Sequence, residues 1–389
     1  MNSKGFYGGN PFREHGQGKF QSFALEIAAG CNLQCGNCYR RPHPKRMGLM
    51  PNEFVERMIG EAKEAGFAEI VLIGGEPTLH PSLPKFVNWV LEQGLTPIVC
   101  TNGWRLADKH YCEQIALPNT TIVLHGLVPL PEQGMDRHVG ISGYTEKLRA
   151  AYKNLDTLRS KGITIVAEAV VIKPFLPYLL RFHQWCRQND YIPFIELNRR
   201  GNDGRPNDLS ASPEKVASLF QQLQKWDEKH APELTDKILT PPAYGTKCTM
   251  TITGLHVKNF GNDDYSGVYS CCAQTVRHGD LRQQSLAEIL ANQGMEVFKN
   301  QDEWIVGPCR SCQYYSVCRG GCRGEATLTF GCPRASCPSC WHIPAEIRRD
   351  PYRMTPREYP PMSGPGSAIA QCDNCPLQGN SGCGLLKKR

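Results

Sequence analysis

The chain has 389 residues, and at about 150 residues per domain that length predicts two or three domains with a sizeable core. Lys plus Arg exceed Asp plus Glu by 44 to 37, a net +7 that is diluted over a large surface and gives no ground for a nucleic-acid partner. The longest apolar stretches, 70–75 and 163–172, fall short of the ~18 residues that span a bilayer, and the first thirty residues lack a signal-peptide pattern, so the expectation is a cytoplasmic protein without membrane contact.

Residues 1–22 are Gly-rich and polar and read as an irregular N-terminal arm. From Phe23 onward, short β-branched and apolar runs alternate with stretches of helical period. Strands are predicted at 23–28, 70–73, 97–100, 121–124, 163–171 and 194–197, and helices between them at 52–65, 83–93, 144–161 and 176–187. The first helix carries Phe54, Val55, Met58, Ile59 and Ala62 at helical intervals. This alternation implies a parallel sheet with right-handed crossovers, and six units suffice for an incompletely closed barrel over 23–205. A Gly, Asn, Asp and Pro cluster at 202–208 ends the rhythm, and a helix at 212–229 bridges residues 206–239. The segment 240–345 is dense in Cys and Gly, with metal clusters expected to serve as its core, and 346–389 is a Pro- and Gly-rich tail with cysteines of its own. The predicted class is therefore α/β, a partial (β/α)6 TIM-like barrel followed by a Cys-rich domain of short strands and helices.

Nineteen cysteines carry most of the chemical information, and they are unevenly spread: Cys31, Cys35 and Cys38 lie within eight residues, and fourteen more lie from Cys186 onward. Without a secretory signal, closely spaced thiols read as metal ligands rather than disulfide partners. The first three follow the first strand, at the C-terminal end that forms the active-site face of barrel folds. Three thiolates on one tight loop can hold three corners of a [4Fe–4S] cluster and leave the fourth iron open to a ligand. A zinc site with His43 as fourth ligand is the alternative, and three incidental thiols are the plain one. At the end of the second strand, Gly74, Gly75, Glu76 and Pro77 offer glycines that let backbone approach a ligand and a carboxylate that accepts from an ammonium group. Taken alone, Gly-Gly at a strand end is an ordinary turn.

The two motifs together resemble the radical S-adenosylmethionine (radical SAM) superfamily over 23–197. The resemblance implies that the open iron chelates the methionine amino and carboxylate groups of SAM. It also implies that an electron from a donor such as flavodoxin or ferredoxin cleaves SAM to a 5′-deoxyadenosyl radical, which takes a hydrogen atom from substrate. Thr101, Asn102 and Gly103, at the end of the third strand, match the family's ribose-contacting position, or form a plain βα turn. Two departures stand out. The family usually has an aromatic residue before the third cysteine, whereas this chain has Asn37 there and Tyr39 after Cys38; and where many relatives read Ser-Leu-Asp-Gly, this chain reads Val123-Leu124-His125-Gly126. His125 is a candidate for proton transfer or substrate binding, or a hydrogen-bonded loop histidine.

Cys309, Cys312, Cys318, Cys322 and Cys340 pack five thiols into 32 residues, with Cys248 and the vicinal pair Cys271-Cys272 upstream. Eight thiols exceed one tetrahedral ion, so two metal centres are implied, with zinc knuckles as the alternative. The spacing, with four residues between Gly267 and Cys272 and the Gly320-Gly321 pair, resembles the SPASM extension of radical SAM enzymes. By that resemblance Cys248, Cys272 and Cys322 hold auxiliary cluster I and Cys309, Cys312, Cys318 and Cys340 hold auxiliary cluster II, both iron–sulfur, with the remaining iron of the first open, bound by substrate, or held by an unidentified ligand. Adjacent residues of an extended chain point opposite ways, so Cys272 is preferred as ligand and Cys271 is left as filler or as a catalytic hydrogen-atom donor. Cys372, Cys375 and Cys383, with Cys332 or Cys337, are candidates for a further cluster or a zinc ion.

Among SPASM enzymes, modification of peptides and proteins is the most frequent activity, so the expected function is oxidative modification of a peptide or protein, by cross-link, thioether or a similar change. Radical chemistry on a tetrapyrrole or sugar is the second expectation and a non-catalytic zinc module the third. With only about 22 residues before the first strand, a peptide substrate would dock directly or through a separate recognition protein. Glu168, Glu196, Arg199, Arg137 and His138 are further candidates to face the barrel cavity, depending on register.

Overall fold

The computed structural model describes residues 20–40, 48–131, 133–201, 207–235, 238–244, 248, 250–261, 263–292, 295 and 305–354. His43, Cys372, Cys375 and Cys383 lie outside the described residues.

β1 (Ser22–Ala28), β2 (Glu69–Gly74), β3 (Thr96–Thr101), β4 (Thr121–His125), β5 (Thr164–Val171) and β6 (Ile192–Leu197) pair side by side in parallel. Each predicted strand is present, with no end displaced by more than two residues. Between them run α1 (Asn52–Glu64), α2 (Leu83–Glu92), α3 (Lys109–Ile115), α4 (Gly134–Val139), α5 (Tyr144–Leu158) and α6 (Leu179–Gln188). α3 and α4 escape the sequence reading because seven and six residues make too few turns for a hydrophobic period to show. The helix predicted at 144–161 is α-helical only to Leu158 and tightens to a 3-10 turn over Arg159–Lys161, closed by Gly162 at φ +87°.

β1 is buried along its whole length because both faces of the sheet are covered, which is why the strands read as apolar runs. The outer face packs on the helices; α1 contributes Phe54, Val55, Met58, Ile59 and Ala62, as its spacing predicts. The inner face begins with one apolar layer made of Ala24, Val71, Ile98, Val123, Val166, Phe194 and Ala243. Side chains alternate along a strand, so the residue two positions further on each strand faces the same interior one layer higher. Those residues are Glu26, Ile73, Cys100, His125, Glu168 and Glu196. The sheet therefore stacks a polar layer directly over an apolar floor.

The sheet continues past β1. β7 (Gly254–Lys258) pairs with it in parallel, and β8 (Gly267–Tyr269) and β9 (Gly279–Asp280) follow antiparallel, giving the order β6-β5-β4-β3-β2-β1-β7-β8-β9. Leu255, Val257, Val268, Leu281, Leu286 and Ile289 join the barrel's outer core. At the other edge, residues 242–244 cover β6 through bonds from Leu197 N to Pro242 O and from Tyr244 N to Ile195 O. The bridging helix α7 (Pro213–His230) starts on a Ser212 cap and docks through Val216, Leu219, Phe220 and Leu223. Residues 305–354, including α8 (Arg323–Phe330), build a second core in which Cys309, Cys322, Cys337 and Cys340 sit among Ile305, Ala326, Phe330 and Met354.

Candidate active site and auxiliary-cluster thiols

The barrel mouth holds a cavity of about 200 Å³. Cys31, Cys35 and Cys38 line it together with Gly74, Gly75, Glu76, Thr101, Asn102, His125, Glu168, Glu196 and Arg199, so the motifs singled out in the sequence converge on one space. The three-cysteine loop is fixed from two sides. Gln34 N and Gly36 N donate to Val139 O (2.9 Å) and His138 O (3.2 Å) at the end of α4, and His138 Nε2 donates to Asn37 Oδ1 at 2.8 Å. Asn37, where the resemblance led to an aromatic residue being expected, thus anchors the loop. On the other side Arg40 and Glu26 form a fully buried ion pair, and the same carboxylate accepts from His256 Nε2 (2.9 Å) and Asn259 N (2.8 Å) beyond β7. Although burial opposes its ionisation, Arg40 and His256 hold the Glu26 carboxyl well below the usual range. Burial pushes the Cys31 thiol up to about 11, with Glu76 and Cys38 adding to the shift, which a bound cation would reverse.

At the end of β2, a Cβ on Gly74 would lie 2.1 Å from Ala28 O and one on Gly75 would lie 2.2 Å from Gly30 O. The glycines therefore permit the close approach of the β2 terminus to the β1 backbone, sealed by Glu76 N donating to Gly30 O at 2.9 Å, while both also line the cavity. Pro77 opens a 3-10 turn that the Glu76 side chain caps. Glu76 Oε1 accepts from Thr78 N (3.0 Å), Thr78 Oγ1 and Thr101 Oγ1 (both 2.6 Å), and Oε2 accepts from Asn102 N at 2.7 Å. One carboxylate thereby locks the ends of β2 and β3 together, and Oε2 keeps a lone pair for a further donor. Asn102 Nδ2 reaches back to Asn32 Oδ1 in the cysteine loop at 2.8 Å.

Tyr144, on α5, decides the state of His125. Its hydroxyl donates to Asn102 O at 2.8 Å and lies 2.9 Å from His125 Nδ1, and a hydroxyl has one proton to give. His125 Nδ1 must therefore carry the hydrogen, which leaves the Nε2 lone pair free on a residue that lines the cavity. Burial, and secondly His138, pushes the His125 pKa down to about 4, so the ring is neutral at physiological pH. Arg137 is exposed and does not line the cavity; His138 does.

Glu168 and Glu196 sit on adjacent strands in the polar layer. Burial, then the charge of Glu196, pushes the Glu168 pKa up to about 8, so Glu168 holds a proton at neutral pH. Glu196 pairs with Arg199, and Arg199 Nη1 donates to Cys272 Sγ at 2.8 Å. A continuous polar path runs from the barrel cavity to the second cysteine region. The sequence offered both carboxylates as cavity candidates subject to register, and period-two alternation from Val166 and Phe194 places them there; the partnership of Tyr144 with His125 had no sequence signal.

The second region divides into two groups of thiols. Against burial, Glu196 first and then Cys272, Cys322 and Cys248 favour the charged Arg199 guanidinium, which of these thiols is bonded to Cys272. Cys309, Cys312, Cys318 and Cys340 line a separate void of about 20 Å³ with Tyr314, Tyr315, Cys337 and His342. Burial and the three other thiols push Cys340 up to about 12. Four thiols lining one void, each able to lose its proton to a metal, are the residue types that a thiolate-ligated cluster uses. The sequence expectation for the vicinal pair does not hold in one respect: β8 ends at Tyr269, and 271–274 is a turn, with Gln274 N bonded to Cys271 O at 3.1 Å, so Cys271 and Cys272 are not extended. Cys332 is half-buried and Cys337 buried beside the second group.

The model of the radical SAM superfamily matches residues 25–175, and that of the SPASM iron–sulfur cluster-binding domain matches 248–313. This chain is a radical SAM enzyme with a C-terminal SPASM domain. The radical SAM enzyme uses SAM and a [4Fe–4S] cluster, and its SPASM domain carries auxiliary iron–sulfur clusters. It is similar to an AdoMet-dependent heme synthase of Methanosarcina barkeri, 22% identical over 83% of this chain and 97% of the relative. It is equally similar to a PqqA peptide cyclase of Granulibacter bethesdensis, 23% identical over 82% and 87%. In fold it resembles anSMEcpe with bound AdoMet (TM-score 0.61, 17% identity, 78% of this chain and 89% of that one). It also resembles Streptococcus suis SuiB bound to its precursor peptide SuiA (TM-score 0.62, 16% identity, 84% and 76%). Among the described residues no helix is long and apolar enough to cross a membrane.

Proposed function

We propose that this radical SAM/SPASM enzyme oxidatively modifies a peptide or protein. The observation that carries the reading is the charge economy of the cavity: among its described lining residues, Arg40 is committed to Glu26 and Arg199 to Glu196. A coproporphyrin or heme precursor presents several propionate carboxylates, and such a ligand needs uncommitted cations. A neutral His125 and a protonated Glu168 offer a peptide bond or side chain hydrogen-bond partners without net charge. A larger groove of about 780 Å³, lined by Leu130, Asp136, Arg149, Arg181 and Trp185, shares Met135 with the cavity and offers room for chain flanking the modified residue. Peptide substrates or precursors are named for the PqqA peptide cyclase relatives, for SuiB and for anSMEcpe with a bound peptide. Tetrapyrrole chemistry is the second reading, favoured by sequence similarity of the same depth to heme synthases and to an Fe-coproporphyrin III synthase.

In this proposal Cys31, Cys35 and Cys38 hold the [4Fe–4S] cluster, Glu76 Oε2 accepts from the SAM ammonium group, and Thr101 and Asn102 border the ribose. Bound SAM and cluster supply a 5′-deoxyadenosyl radical once a flavodoxin or ferredoxin donates an electron. His125 Nε2 accepts a hydrogen bond from the substrate, and the Glu168–Glu196–Arg199 path joins the cavity to the auxiliary-cluster thiols. The test is anaerobic turnover of the reconstituted enzyme with SAM and reductant, on peptides encoded beside its gene and, in parallel, on iron coproporphyrin. The expected result is 5′-deoxyadenosine with loss of two hydrogen atoms from a peptide; decarboxylation of the porphyrin with no peptide change refutes the proposal.

A further inference from the structure

Trp104 follows the turn at the end of β3, lies outside the cavity lining and is half-buried, its indole stacked on Tyr144 at 6.4 Å and 10°. Trp104 N donates to Asn102 Oδ1 at 2.9 Å, and Asn102 Nδ2 donates to Asn32 Oδ1 at 2.8 Å and lies 3.9 Å from Cys31 Sγ. One side chain thus separates the surface at Trp104 from a sulfur of the three-cysteine loop. Uncommitted cations gather at that point. Lys147 on α5 holds its ammonium 6.0 Å from the Trp104 ring. The 3-10 turn Arg105–Ala107 is fastened to α5 by Asn154 Nδ2, which donates to Leu106 O (2.9 Å) and Ala107 O (3.1 Å), and α3 starts directly afterwards with Lys109. Lys147 and Lys109 are exposed, and among the described residues neither has an acidic partner. The neighbouring acids are engaged: Asp108 caps α3 through Tyr111 N at 3.1 Å, and Glu146 pairs with Arg149 at 3.8 Å. A second surface also backs onto the cysteine loop, at the exposed Leu49 and Phe260, where Gly48 O accepts from Ala29 N. Its charge has the opposite sign, because Phe260 shares a turn with Asp263 and Asp264.

We propose that Trp104, Lys147 and Lys109 form the docking surface for an acidic one-electron carrier protein, whose electron enters the enzyme at Trp104 and reaches Cys31 by way of Asn102. The inference rests on the reading above that Cys31, Cys35 and Cys38 hold the [4Fe–4S] cluster and that a carrier protein reduces it; the class of substrate does not enter. One electron leaves the carrier and one arrives at the cluster, with no bond made or broken. Electron-transfer encounters are small and transient, so a few exposed cations around one aromatic side chain suffice to steer and orient the carrier.

The test uses the reconstituted full chain with flavodoxin and, in parallel, ferredoxin. Complex formation is read apart from chemistry, as a dissociation constant from the anisotropy of the dye-labelled carrier. SAM cleavage is then driven either by the reduced carrier or by dithionite, a small reductant that needs no docking surface. Reversing both charges, Lys109→Glu with Lys147→Glu, is expected to weaken the complex about tenfold or more. Added salt is expected to weaken the complex of the unaltered enzyme more than that of the double variant. Carrier-driven cleavage falls with the affinity while dithionite-driven cleavage is unchanged, and Phe260→Ala leaves the complex as it was. No salt-sensitive complex of the unaltered enzyme with either carrier, an unchanged dissociation constant in the double variant, or a larger loss in Phe260→Ala overturns the proposal. Absence of dithionite-driven cleavage by the unaltered enzyme counts against the assignment of Cys31, Cys35 and Cys38 alone, and the dissociation constants still decide the surface.

Discussion

A single hydroxyl proton settles the chemistry of His125. Because Tyr144 spends its hydrogen on Asn102 O, the imidazole is held in one tautomer, and burial keeps it neutral. Glu168 is the complementary case, a carboxyl kept protonated to about pH 8. Its folded pKa lies above the unfolded value near 4.5, so the folded state binds the extra proton between those two values. Stability contributed through this group is therefore greatest below pH ~4.5 and falls as pH rises towards about 8. Glu168→Gln, which cannot ionise, is expected to flatten that fall, raising the melting temperature at pH 8 more than at pH 5; equal shifts at both would contradict the buried protonated carboxyl. At the cysteines, Cys35→Ala is expected to abolish SAM cleavage, measured as 5′-deoxyadenosine. Cys312→Ala is expected to retain uncoupled cleavage while losing substrate turnover, and full turnover in a folded Cys312→Ala protein would remove auxiliary cluster II from the reaction.

At the scale of elements, the site depends on how closely β1 and β2 end together. Gly75→Ala would set a methyl group 2.2 Å from Gly30 O, and both partners are backbone, so neither can swing aside. A destabilisation of about 1–3 kcal/mol is expected, as for other overpacked positions, together with reduced iron uptake at the three-cysteine loop. Thermal melts and iron analysis check both, and a variant with unchanged melting and iron content would show that the two strand ends tolerate separation. Much of this element-level picture was legible in the sequence. Apolar runs marked β1 to β6, and Phe54, Val55, Met58, Ile59 and Ala62 marked the buried face of α1, because each obeys a period over several repeats. The short helices α3 and α4 and the two-residue β9 were not legible, since their pairing depends on partners far away in the chain.

For the whole molecule, the barrel and the bridging helix are clamped by Asp227. Its carboxylate, fully buried on α7, accepts from His183 Nε2 (2.8 Å), Arg187 Nη2 (3.1 Å) and Tyr244 OH (2.8 Å). Despite burial, those partners hold the Asp227 pKa below its ordinary value, so its contribution is present above the unfolded pKa and is lost as pH falls through the folded one. Asp227→Ala leaves Arg187 and His183 without their acceptor and is expected to cost about 3–5 kcal/mol, read by denaturant unfolding above pH 5. A loss below 1 kcal/mol would mean that α7 is held by its apolar face alone. The same scale joins the active site to the SPASM segment, since Glu26 on β1 is bonded to Arg40 behind the cysteine loop and to His256 on β7.

The sequence alone determined what depends on residue type and local spacing: thiols close enough to share a cluster, a carboxylate beside a Gly-Gly turn, and six βα units, because loop length and side-chain period act within a few residues. Only the tertiary structure decided which groups meet. It set Glu168 and Glu196 in the layer above Val166 and Phe194, gave His125 its tautomer through Tyr144, and bent the chain into a turn at Cys271. Those outcomes depend on register and on contacts between residues separated by tens to hundreds of positions, and no local rule carries that information.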